Sequence, residues 1–195
     1  MPNNLKGGHN MSLVGKKFII DAGHGGQYNG VEFPRIDGSL RREKVITLQI
    51  AKEVRTFLEN KGAYVYMTRT TDVDFGGTNA DDDINKRVQF INNNLPASHA
   101  LVSIHLNTPR GRVGNFYQTG AVASKAFAEE ITAVCKPYYS GIGTYADNFA
   151  ILRETTKANQ KVLFEVDNID NDELDISWPS IIAGLIVKGI ENHLG

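Results

Sequence analysis

FIIDAGHGG, Phe18 to Gly26, is an apolar run that stops abruptly at an aspartate, a histidine and three glycines. The run "KKFIID" (16–21) is β-branched and bounded by glycine, which reads as a buried strand with a tight bend at its exit. Such an exit can bind an anion, turn a corner or hold a metal. "GHGGQYNG" has neither the lysine and hydroxyl of a P-loop nor the GxGxxG spacing of a dinucleotide site, so the phosphate reading is weak. The chain then alternates. Residues 26–40 read as a loop. From Glu43 a helical apolar face runs through Val45, Ile46, Leu48, Ile50, Ala51, Val54, Phe57 and Leu58, and "NKG" (60–62) stops it. "AYVYMTR" (63–69) reads as a second strand, 71–83 as a polar loop, 84–93 as a helix and "HALVSIHL" (99–106) as a third strand. Beyond a glycine-rich polar stretch, 124–139 has helical periodicity, 149–154 and 161–168 read as strands, and 178–194 closes the chain as a helix with Pro179 in its first turn. Strands alternating with helices predict a single-domain α/β fold, a mostly parallel twisted sheet with helices on both faces.

Composition narrows the function. A chain of 195 residues suits one domain with a real core. Its 21 basic and 22 acidic residues nearly cancel, and no basic stripe is visible, which argues against a nucleic-acid or anionic-lipid partner. The single cysteine, Cys135, excludes an internal disulfide and a cysteine-rich metal site, so any metal must be held by histidine and carboxylate. No apolar run reaches the ~20 residues of a membrane span. The N-terminus is polar and lacks the apolar centre of a secretory signal, so residues 1–15 are expected to form a flexible leader ahead of a domain at 16–195. The expected state is a monomer without membrane insertion.

In open α/β sheets functional groups collect at the carboxyl ends of the strands. His24 lies just past the first strand, His105 near the end of the third and Glu165 in the fifth, while Glu43 heads the first long helix. Two imidazoles and a carboxylate, with water in the fourth position, make a catalytic zinc shell, and a further carboxylate then serves as general base and acid. Each residue also has a plainer reading. Either histidine alone fits a loop or core role, and Glu43 alone fits an acid favoured by the helix dipole. Glu165 resists that treatment, because a carboxylate inside the apolar "VLFEV" is costly unless it is used. His9, His99 and His193 read as structural or solvated.

Taken together these residues resemble the zinc-dependent N-acetylmuramoyl-L-alanine amidases of the type-3 (amidase_3) family, from about Lys17 to the C-terminus. "IIDAGHGG" is similar to the family's opening strand with its first ligand, His24. "RREKVITLQIAKEVRTFLENKGAYVYMTR" resembles the segment carrying the second, Glu43. "NKRVQFINN" matches an arginine-containing helix, "LVSIHLN" the strand of the third ligand, His105, and "ILRET" and "VLFEVDNIDN" the closing segments with the catalytic Glu165. The resemblance implies Zn2+ and hydrolysis of the amide between the lactyl group of N-acetylmuramic acid and L-alanine in peptidoglycan. It implies action on the cell wall, by an endolysin-like protein released on lysis, an autolysin or an excised catalytic domain. Two other readings stay open: a zinc hydrolase of another bond, such as a peptidase or deacetylase, and a non-catalytic wall-binding module. The chain departs from the family in having Asp167 and Asn168 where Gly-Phe usually follows the catalytic Glu, which bears on the groove wall. It also lacks a recognisable Gly-x-Glu-Thr in "RGRVGNFYQTG". The segment 107–151 is too short for the helical insert that blocks the zinc in some relatives, so the site is expected to be open. Asp21 is a candidate hydrogen-bond partner for a ligand histidine.

Overall fold

A computed structural model describes residues 12–195. Its centre is a six-stranded sheet in the order β4-β1-β5-β8-β6-β7. Four strands run parallel: β1 (Lys17–Ala22), β4 (Tyr64–Met67), β5 (Ser98–Asn107) and β8 (Ala158–Asn168). At the far edge β6 (Gly114–Gln118) pairs antiparallel with β8, and β7 (Gly143–Asp147) runs parallel to β6. The chain passes from β1 outward to β4 and then back across to β5, so the connections diverge between β1 and β5. Open α/β sheets form ligand crevices at such a point.

Each face is covered. Helices α1 (Glu43–Glu59), α3 (Val122–Cys135) and α5 (Trp178–Leu194) pack on one side around Phe18, Ile20, Val102, Phe164, Phe127 and Ile186, all fully buried. Helix α2 (Ala80–Asn94) and the short α4 (Ala150–Arg153) cover the other side with Ile19, Leu101, Leu163, Val88 and Ile151. Buried residues therefore alternate along β1, β5 and β8 between two cores, as a sheet covered on both faces requires. The predicted α/β class and two-sided packing are both present.

Several local expectations change. The run 149–154, expected as a strand, is α4, in which the carbonyl of Phe149 accepts from Leu152 and Arg153. Its apolar residues are consecutive rather than alternating, and periodicity cannot separate a short buried strand from a helical turn. Strands β6 and β7 were hidden in the glycine-rich stretch, because each is short and begins at a glycine. The loop at 26–40 contains half of a small antiparallel hairpin, β2 (Glu32–Pro34) and β3 (Leu40–Arg42). Of the expected leader, residues 1–11 lie outside the described residues, while Leu13 is fully buried and donates its N–H to the Lys61 carbonyl at 3.1 Å. Residues 12–15 belong to the packed domain.

Candidate metal centre

At the end of β1 the chain must reverse sharply, and His24 sits in the bend with φ of 59°, flanked by Gly25 at 141° and Gly26 at 55°. A left-handed histidine costs about 1–2 kcal/mol, so something must hold it. Gly25 and Tyr28 exchange both backbone hydrogen bonds at 2.9 Å. Two buried arginines gather the carbonyls of the bend. Arg87, on α2, donates Nη1 to Ala22 (2.7 Å) and Nη2 to His24 (2.7 Å). Arg69 donates Nε to Ala22 (3.0 Å) and Nη2 to Gly23 (2.8 Å). The strand exit is thus fixed by cations satisfying carbonyls that no ladder reaches.

Glu43 opens α1, whose first N–H groups are taken by the loop carbonyls of Val31 (3.0 Å) and Asn29 (3.1 Å). The Glu43 carboxylate is 2% exposed and receives four groups. Oε2 accepts from the Val31 N–H (2.9 Å) and faces His24 Nε2 (3.1 Å). Oε1 accepts from the Leu106 N–H (3.0 Å) and faces His105 Nδ1 (3.0 Å). The Leu106 donor is available because the β5–β8 register shifts between His105 and Asn107. Burial alone would raise the Glu43 carboxyl, but the bonds and charges of His105 and His24 outweigh it and hold the group well below the usual range.

His24, Glu43 and His105 each offer one ligand-type atom, and these lie within 4.8 Å of one another. The imidazoles meet edge to face with centroids 5.0 Å apart. The surrounding backbone leaves room for them: a Cβ on Gly30 would stand 2.3 Å from Glu43 Oε2, and one on Gly23 2.5 Å from the His105 ring. Glu165 stands beside His105 in the ladder, so both side chains leave the same face of the sheet. Its Oε2 is buried without a partner among the described residues, and burial pushes the carboxyl up to about 7, with His105 opposing and Glu43 adding to the rise. His24, His105 and Glu165 line one cleft of about 210 Å³, walled by Ile84, Phe149, Ile151 and Leu163. Two imidazoles, one ionised carboxylate and a cradle that a Cβ would fill suit a divalent cation with nitrogen and oxygen preference. The orphaned carboxylate oxygen beside them supplies a proton acceptor.

All four candidate residues converge. Asp21 does not serve an imidazole: it accepts from Thr68 (2.7 Å), Ser103 (2.6 Å) and Arg87 (2.9 Å). Asp167 does not face the cleft either, but binds Trp178 Nε1 and Asn171 Nδ2, tying the turn after β8 to α5. His99 accepts from the Lys17 N–H and His193 meets Gln160, both structural, while His9 lies outside the described residues. The bracing roles of Arg69 and Arg87 were missed. Only the fold reveals that the exit of β4 delivers Arg69, and α2 delivers Arg87, to one bend.

The family model described as "Amidase_3: N-acetylmuramoyl-L-alanine amidase" matches residues 18–192. The "Germination-specific N-acetylmuramoyl-L-alanine amidase" of Bacillus subtilis is 38% identical over 104 residues, covering 50% of this chain and 41% of that protein. The "Probable cell wall amidase LytH" of Staphylococcus aureus is 32% identical over 186 residues, covering 92% of this chain and 58% of that protein. The chain therefore spans about half the length of these relatives. Among solved structures, the CwlD amidase of Clostridioides difficile, determined with the GerS lipoprotein, superimposes with a TM-score of 0.77 at 25% identity, covering 92% of this chain and 98% of that one.

Proposed function

We propose, from the fact that the chain belongs to the Amidase_3 family of N-acetylmuramoyl-L-alanine amidases, that it hydrolyses the amide joining the lactyl group of N-acetylmuramic acid to L-alanine in the bacterial cell wall. In this reading His24, Glu43 and His105 hold a zinc ion and Glu165 is the general base and acid. The observation that carries it is the meeting of three ligand-type atoms at a cleft lined by His24, His105 and Glu165, whose Oε2 has no partner among the described residues. A wall-binding module would have no use for that buried acid. No helix among the described residues is long and apolar enough to cross a membrane.

An amide is a poor electrophile with a poor leaving group, so both ends need help. When bound, zinc supplies Lewis acidity, polarising the carbonyl and making water more acidic. The protein does the rest. The cleft brings the amide against Glu165, whose Oε2 has no competing hydrogen bond among the described residues. That oxygen takes the proton of the attacking water and passes it to the alanine nitrogen, which leaves as an amine rather than an anion. A carboxyl pushed to about 7 can accept and release a proton with similar ease. Glu43, by contrast, is kept ionised by four contacts and is suited to holding a cation rather than moving a proton. Mass spectrometry of digested, purified cell wall tests the bond cleaved. Intact stem peptides with a new L-alanine amino terminus are expected; cleavage within the peptide or loss of acetate would place the activity elsewhere.

A further inference from the structure

On the His24 side of the cleft the acids are already engaged: Asp72 meets Lys44 at 2.9 Å and accepts from the Gly26 N–H, Asp74 accepts from the Gln27 N–H, and Asp83 lies 3.9 Å from Arg87. On the Glu165 side an arginine beside the neighbouring strands is stacked on an aromatic ring. Strands β6 and β7 run opposite to β8, so their first residues lie at the end of the sheet where β8 delivers Glu165, and Gly114 pairs directly with it. Tyr145 shares a face with Phe116, Leu163 and Glu165, and its ring leans back over these two strand starts. A Cβ on Gly114 would stand 2.8 Å from Tyr145 Cε2, and one on Gly143 2.3 Å from its hydroxyl. Here the missing side chains are what let the ring lie flat against the strands.

Arg112 covers that ring, its guanidinium carbon 5.4 Å from the centroid. Among the described residues neither Arg112 nor Arg110 has an acidic partner within salt-bridge distance. The loop that carries them is anchored rather than loose: Gly111 donates to the Thr108 carbonyl at 2.8 Å, and Asn107 Nδ2 to the Arg112 carbonyl at 3.2 Å. A cation stacked on an aromatic floor, two residues ahead of the Gly114 that pairs with Glu165, is suited to receive a planar anion.

We propose that Arg112, supported by Tyr145, binds a free carboxylate of the stem peptide beyond its L-alanine and so sets substrate preference. The inference rests on the amidase reading above. Once the lactyl carboxyl is used in the amide, the glycan strand of N-acetylated sugars is neutral, whereas the peptide carries free carboxylates. An unpaired cation near Glu165 therefore suits the peptide rather than the sugars.

The test uses the zinc-loaded protein and two synthetic muramoyl tripeptides that differ only at the second residue, one with a free α-carboxylate and one with a carboxamide. The carboxylate substrate is expected to show about a tenfold higher kcat/KM, expressed mainly in KM and shrinking as ionic strength rises. Arg112→Gln, whose fold is checked by its melting temperature, should bring the carboxylate substrate down to the rate of the carboxamide, and Arg112→Lys should restore part of the difference. No preference in the native protein, or an equal loss on both substrates in Arg112→Gln, overturns the proposal. If neither substrate is cleaved by a protein that carries zinc, the amidase reading itself falls, and the proposal with it.

Discussion

Glu165→Gln is expected to lower turnover on cell-wall substrate by about 100- to 10,000-fold while the bound metal and the melting temperature stay near those of the native protein. The carboxyl oxygen Oε2 is buried with no partner among the described residues, beside His105 in the β5–β8 ladder. Glutamine has the same shape and leaves the contacts of His24, Glu43 and His105 in place, since none of them uses Glu165. What is lost is the capacity to take a proton from water and give it to the departing amine. Neutralising a carboxyl already pushed to about 7 by burial also removes little favourable charge interaction, so the fold should not suffer. Kinetic assay, metal analysis and thermal melting on one preparation read all three quantities. A variant that retains turnover would place the base on another residue.

Arg87→Met is expected to cost about 3–5 kcal/mol of folding stability, read by denaturant unfolding at neutral pH. Arg87 is 4% exposed and Asp21 1% exposed, and they pair at 2.9 Å inside the protein. Methionine keeps volume but leaves the carboxylate without its counter-charge, and it strips two hydrogen bonds from the bend that holds His24. Burial alone would raise the Asp21 carboxyl, yet Arg87 above all, with His105, Ser103 and Thr68, draws it down to about 2 from 3.8. A folded-state value below the unfolded one means this stability is present above about pH 4 and is lost as pH falls through about 2. The gap between native and Arg87→Met proteins should therefore narrow over that interval. Adding Asp21→Asn to the variant should recover part of the loss, because it removes the stranded charge. A variant as stable as the native protein would show that the clamp contributes nothing.

How far the site can be read from sequence follows from how local each signal is. Glu165 stands out because an acid inside an apolar strand breaks a local rule. His24, Glu43 and His105 carry no such mark and gain meaning only from their order along the chain. The helical face of α1 and the boundaries of α5 are visible because periodicity accumulates over 17 residues each. Strands β6 and β7, with five residues each, give too little pattern to see. The functions of Arg69, Arg87 and Arg112 are long-range, since a guanidinium side chain looks the same in sequence whether it caps a carbonyl, pairs with a buried acid or stacks on a ring.

Metal content measured together with activity tests the central claim most directly. The purified protein should bind one zinc per chain, lose both zinc and cleavage on treatment with a strong chelator, and regain both when zinc is returned. His105→Ala should prevent the recovery. Cleavage that persists after the metal has been fully removed would contradict the account.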